Sequence, residues 1–251
     1  PSGGGGGATG ATGPSGATGA SGGGGSLFDA PAPDSTRRLA GIHILDNTSN
    51  AAVITGGFRN SIIGSSHSGI FSGERSIINS STRAVISGGR SNTIQSSGFV
   101  IVGGGNGNNL TDTAYSGIFS GDGNNINSSE RAVISGGRLN AIQSSNFANV
   151  GGGFSNGTFD SANSGIFSGE RNIIISSNRA VISGGNLNTI SSSNWAIGGG
   201  GFANNITGSS YSGILGGIVN NINASNDAII SGGRANFIRS SSISCIVGGI
   251  S

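Results

Sequence analysis

From Ala52 onward, hydrophobic and polar residues recur on a period of sixteen. Gly57, Gly73, Gly89 and their successors to Gly249 fall sixteen apart without a miss. Ile54 opens a column of Ile and Val that runs to Ile246 with only Gly198 out of character. Ile62 opens a second, running to Ile238 with Thr158 as its one polar member. Ala52 heads a column of Ala, Ser and Val, Asn60 one that is Asn except at Ser76, and Ser65 one of Ser and Thr. A fixed period of this length marks a solenoid, in which each unit buries its apolar face on the next.

One coil, Ala132 to Phe147, shows the expected layout. Side chains alternate along a strand, so Ala132, Ile134 and Gly136 face one way and Val133 and Ser135 the other. Gly137 takes a corner where the backbone angle favours Gly. Asn140 and Ile142 belong to a second strand, and Ser144-Ser145 make the second corner. The expectation is an all-β parallel β-solenoid over residues 52–251, a flattened two-layer β-roll of about twelve coils with strands of four or five residues. At ~4.8 Å per coil the rod is about 60 Å long. The Asn column reads as a ladder in which each amide donates to its counterpart one coil on and accepts from the one before. The other reading places each Asn in a turn that tolerates positive φ.

Upstream the register changes. Gly occupies every third position from 4 to 25, as in Gly10-Ala11-Thr12 and Gly13-Pro14-Ser15. Only Gly fits the axis of a collagen triple helix, so 1–25 reads as a collagen-like segment, whereas a flexible Gly/Ser linker holds no register. With Pro14 as the one proline of the triplets from Gly4 to Gly25, this segment is a weak triple helix, so a homotrimer held elsewhere is expected. Residues 26–51, with Pro31, Pro33, Asp34, Arg37 and Arg38, read as a neck and N-terminal cap, Ile42 to Leu45 being a short capping strand.

Composition narrows the function. Gly is 51 of 251 residues, charged residues are 9% and aromatics 6%, too few large side chains for an ordinary globular core. The net charge of +2 comes from twelve Arg and no Lys against ten acids, spread along the chain, so neither nucleic acid nor membrane insertion is expected. Cys245 stands alone, which excludes an intrachain disulfide framework. A start at Pro1, without Met or signal peptide, reads as a processed or partial piece. Catalytic, cofactor and metal residues are all expected to be absent, and the chain is expected not to be an enzyme. His43 and His67 are the only histidines, and no Gly-x-Ser-x-Gly elbow precedes a helix. Gly103-Gly104-Gly105-Asn106-Gly107 lacks the Lys of a phosphate loop, and no Asp recurs in every coil as a calcium roll requires.

Four sets of outward residues carry candidate roles. Phe71, Phe119, Phe167 and Leu215 recur every forty-eight residues, alternate with small residues such as Ser87, Gly103, Ser135 and Gly151, and stand beside Gly69, Gly117, Gly165 and Gly213. A regular apolar stripe marks a contact, so these are assigned to a trimer interface. Phe99, Tyr115, Phe147, Trp195 and Tyr211 share a rim column that either offers a ligand platform for sugars or packs the corner and a neighbouring chain. Glu74 with Arg90, and Asp122 with Arg138, share a column one coil apart and are expected to pair. Glycan acceptors are Asn79, Asn127 and Asn223, predicted outward, and Thr9, Thr12 and Thr18 on the collagen-like segment; Asn156 is predicted inward.

Repeats such as Arg83-Ala-Val-Ile-Ser-Gly-Gly-Arg90 followed by Asn92-Thr-Ile94 resemble the heads of trimeric autotransporter adhesins, left-handed parallel β-rolls built from similar coils. The likeness covers 52–251. The start of the chain departs from it and is similar to collagen-like surface glycoproteins of bacterial spores, cells, phage fibres and virions. Together these resemblances imply an extracellular homotrimeric surface fibre, with end-to-end filaments as a further form and itself as the main partner. The alternative is an adhesin or receptor-binding fibre that recognises a surface glycan. An ice-binding solenoid would need a flat face of regularly spaced Thr, and Thr93, Thr111 and Thr189 are scattered.

Overall fold

The computed structural model describes residues 37–38, 43–46 and 48–250. The collagen-like segment, with Thr9, Thr12 and Thr18, and most of the neck lie outside them. The described chain is a parallel β-solenoid of two sheets, fourteen strands in one and thirteen in the other, each strand hydrogen-bonded to the next of its own sheet. We call these the front sheet, from Arg37–Arg38 to Ser242–Ile246, and the back sheet, from Ile44–Leu45 to Phe237–Arg239. Pairing is parallel with an offset of one coil, as in Ile118↔Ile134 and Ile126↔Ile142. The neck contributes the first rung of each sheet: Arg38 pairs with Ile54, and Leu45 with Ile62.

The strands are shorter than expected, two to five residues long. The cause is the number of corners. In the coil 132–147, Gly137, Leu139, Ser144 and Phe147 all have positive φ, at 84°, 56°, 50° and 56°. Four left-handed residues per coil leave only short extended pieces between them. Single parallel bridges at positions such as Glu74↔Arg90 and Ser66↔Thr82 carry the ladder through the corners. Only the first of the four corners is always Gly. A Cβ on Gly137 would stand 2.3 Å from the carbonyl oxygen of Gly153, so any side chain there would push the coils apart. The other three corners hold φ near 50–59°, which L residues adopt at about 1–2 kcal/mol each.

The inward columns match the sequence pattern. Ile54, Ile70 and Ile86 from the front sheet, and Ile62, Ile78 and Ile94 from the back, are fully buried and form one apolar stack. The stack is interrupted once, at Thr158, whose buried hydroxyl has no partner; separate clusters lie on either side.

The Asn ladder differs in its partners from the expected amide-to-amide chain. The side-chain oxygen of Asn140 accepts the backbone N–H of Asn156 at 2.9 Å, and its NH₂ donates to the carbonyls of Gly136 and Gly153 at 3.0 and 3.1 Å. Each Asn therefore ties its own coil to the backbone of the next. Direct amide-to-amide bonds accompany this in two places, Asn188 to Asn172 and Asn236 to Asn220. Backbone groups win because a buried N–H at this corner would otherwise be orphaned. The Ser column works likewise: the Ser145 hydroxyl donates to the Gln143 carbonyl and accepts the Ser161 N–H at 3.0 Å. At the start of the stack His43 takes the place of an Asn, its Nδ1 accepting the Asn60 N–H at 3.3 Å. Asp46 closes the same end, accepting from the Thr48 and Ser49 hydroxyls and the Gly64 N–H.

Candidate functional site

The rim residues stand at the last left-handed corner of each coil, with φ of 54–57° at Phe99, Tyr115, Phe147, Trp195 and Tyr211. One-coil spacing stacks them along the rod. Phe99 and Tyr115 lie ring on ring with centroids 4.9 Å apart and planes 17° apart. Trp195 and Tyr211 do so at 6.2 Å and 11°. Arginines occupy the same column and extend each stack: Arg83 lies 4.7 Å from the Phe99 ring centre, Arg131 5.4 Å from Tyr115 and 5.1 Å from Phe147, and Arg179 4.6 Å from Trp195. Both faces of Phe99, Tyr115 and Trp195 are therefore covered, and their edges point outward. Such cation–π contacts contribute about 0.5–1 kcal/mol each at exposed positions.

The residues assigned to a trimer interface lie four positions further along the same face of the front sheet. Phe71, Phe119, Phe167 and Leu215 are all at least half exposed. Beside them Gly69, Gly117, Gly165 and Gly213 are buried although they face outward; at Gly69 the Val53 and Phe71 side chains stand over the missing Cβ. At Gly117 an added Cβ would stand 3.1 Å from Ile101 and 3.7 Å from the Phe119 ring. The result is a notch in the face at these coils. A groove of about 310 Å³ at Gly117 is lined by Phe99, Ile101, Tyr115, Phe119 and Val133. A second, of about 160 Å³, lies at Gly213 between Trp195, Ile197, Tyr211, Leu215 and Ile229. Around Gly165 the matching rim and central positions are Asn163 and Asn149.

No family model and no curated protein matches the chain. Among solved structures, a chain described as a "putative acetyltransferase" from Desulfovibrio desulfuricans G20 is similar, at 9% identity and a TM-score of 0.20, over 80% of this chain and 70% of that one. The expectation that the chain is not an enzyme rested on composition and missing motifs alone, and beside a neighbour so described it is withdrawn. At this TM-score the likeness carries no activity to the chain either. Among the described residues no three His, Cys, Asp or Glu cluster as metal ligands.

The structure thus brings together two residue sets that the sequence kept apart, the rim and the Phe stripe, as the two edges of one face. The missed signal was their phase: both beat every forty-eight residues, and residues i, i+2 and i+4 share a face when the strand runs on from the corner. The expected ion pairs are half present. Arg138 reaches Asp122 at 3.4 Å, but Glu74 bonds Arg75 at 2.7 Å, not Arg90, because the left-handed corner at Arg75 turns its side chain alongside. Asn79, Asn127 and Asn223 lie half-buried on the outward side of the back sheet, and Asn156 is buried in the ladder.

Proposed function

We propose that the chain is the structural subunit of an extracellular homotrimeric surface fibre on a bacterial cell, spore or virion. In this reading a collagen-like stalk and a short neck carry a β-roll rod similar to adhesin heads, and the rod supplies reach and surface contact. The observation that carries it is the axial ladder. Parallel rungs and Asn pins join every coil to its neighbours through the backbone, so the described part is a rod about 60 Å long, stiff along its axis. The every-third Gly register of 4–25 supports three chains per fibre.

The two grooves favour a second reading, a fibre that binds a surface glycan. Sugar rings stack on free aromatic faces, and those of Phe99, Tyr115 and Trp195 are covered. The fibre subunit is therefore the stronger reading. Light scattering and electron microscopy of the purified chain test it. The expected result is a particle of three times the 24.4 kDa chain mass containing a straight rod. A monomeric, compact particle would overturn the reading, and selective glycan-array binding would favour the second.

A further inference from the structure

The front face is three residues wide, and its composition changes by layer. The Arg131 coil presents Arg131, Val133 and Ser135 from rim to Phe-stripe edge. The Phe99 coil presents Phe99, Ile101 and Gly103, and the Tyr115 coil Tyr115, Gly117 and Phe119. The same triplet returns six coils above the Phe99 and Tyr115 layers as Trp195, Ile197, Gly199 and then Tyr211, Gly213, Leu215. Two layers of three are large at one edge and small at the other. The third has Gly between two larger edges, aromatic at both in the Tyr115 coil, Asn163 and Phe167 three coils on, and Tyr211 and Leu215 after that.

Such a face is complementary to itself under rotation about an axis along the rod. That operation keeps height and sets one edge of a copy against the opposite edge of the next. Phe99 then meets the next copy's Gly103, Arg131 its Ser135, and Tyr115 its Phe119. We propose that copies of this chain pack side by side, all pointing the same way, with the rim column of one against the Phe stripe of the next at the same coil. The count of three rests on the fibre reading above; the face and register do not.

Three further observations support the packing. The rim corner has φ near 55°, where an L residue costs free energy, yet Phe, Tyr, Trp and Arg hold eight of its twelve positions from His67 to Ile243, so their side chains serve something beyond the corner. A strip about 60 Å long and about 13 Å wide removes on the order of 800 Å² per copy, divided between its two neighbours, so a closed ring of three buries on the order of 2,400 Å² in all. On the fibre reading, the every-third Gly register of 4–25 would set its three chains running in one direction, as this packing requires. Arg suits the edge because its guanidinium, already over the Tyr115 and Phe147 rings, is weakly hydrated and tolerates partial burial.

Cysteine cross-linking of the full chain tests the register. The exposed Cys245, the one cysteine present, is first replaced by Ser. Positions 131 and 135 are about 13 Å apart along one extended strand, too far for a disulfide within a chain. Mild oxidation of Arg131→Cys/Ser135→Cys, and of Arg179→Cys/Ser183→Cys, should give covalent oligomers closing at three. Arg131→Cys/Ser183→Cys, three coils out of register, should give at least about ten-fold less. The second matched pair and unchanged circular dichroism guard against a variant that fails to fold. A trimer in which matched and mismatched pairs link equally, or not at all, would overturn this packing and leave the fibre reading standing. A monomer would overturn both.

Discussion

On the front sheet the residues pointing away from the core repeat every three coils, with Phe71, Phe119 and Phe167 recurring as the large member. The same outward positions on the back sheet read Asn125, Asn127, Ala141 and Gln143 in two successive coils, and Asn205, Thr207, Asn221 and Asn223 in two others. Its apolar members form no continuous three-coil series: Ile77 and Ile173 stand six coils apart with Asn125 midway, Phe159 lies in the other outward column and Phe237 in another phase. Both sheets close on one interior of Ile columns and are pinned by the same Asn and Ser ladders. The Ile columns repeat every sixteen residues, but the inward Ser68, Ser116, Ser164 and Ser212 keep the forty-eight-residue period, each accepting the N–H of the Ala one coil on. Part of the longer period therefore belongs to the packing of the front sheet itself, and the large side chain recurring on its outer side is what the proposed contact between copies accounts for.

The largest expected effect breaks the comparison at its apolar side. Replacing Phe119 and Phe167 together by Asp should convert the assembly to monomers or aggregates by light scattering, because each buried Phe contributes ~1.5–3 kcal/mol. Gln95→Asp with Gln143→Asp, the same charge change on exposed back-face positions, should leave the particle mass unchanged. An interior change should spare neither face. Asn140→Ala orphans the Asn156 N–H and the Gly136 carbonyl and leaves the Gly153 carbonyl with the Arg138 N–H alone, and should cost about 3 kcal/mol in urea unfolding, lowering protection on both sheets in hydrogen exchange.

Much of this architecture was legible before any coordinates. The Gly, Ile, Asn and Ser columns identified the sixteen-residue coil, its inward positions and the two layers, because burial against a neighbouring coil repeats with the coil. The ladder's partners were not legible, since side-chain spacing does not show which backbone N–H an Asn140 oxygen will face. The length of the strands was not legible either. The Ser144 corner was read from the sequence, but Leu139 and Phe147 are not residues whose type announces a left-handed backbone, and only the stack holds them there. That same hidden corner concealed the adjacency of Tyr115 and Phe119, and with it the unity of the candidate site.

Two smaller effects sharpen the picture of the shared interior. Ser76 stands in the Asn column with its buried hydroxyl unpartnered, so Ser76→Asn should complete the ladder and raise stability by about 1 kcal/mol in thermal melts. Smaller still is a pH effect at the first coil. Partial burial alone would raise the pKa of Asp46, but hydrogen bonds from Ser49, Thr48 and the Gly64 N–H hold it below its ordinary 3.8. Its contribution is present above that value and is lost as pH falls through the lowered one. The Gly64 amide should therefore lose protection below about pH 3.8, after correction for intrinsic exchange, while amides of the central coils do not.

Hydroxyl-radical footprinting of the assembled protein, read residue by residue by mass spectrometry, tests the central claim most directly. Phe119, Phe167 and Trp195 on the front face and Phe237 on the back are all about half exposed in the single chain. If the front face is where copies meet, the first three should be labelled several-fold less than Phe237, and should reach its level once Phe119→Asp/Phe167→Asp or dilution dissociates the assembly. Equal labelling of both faces in an intact oligomer would contradict the account.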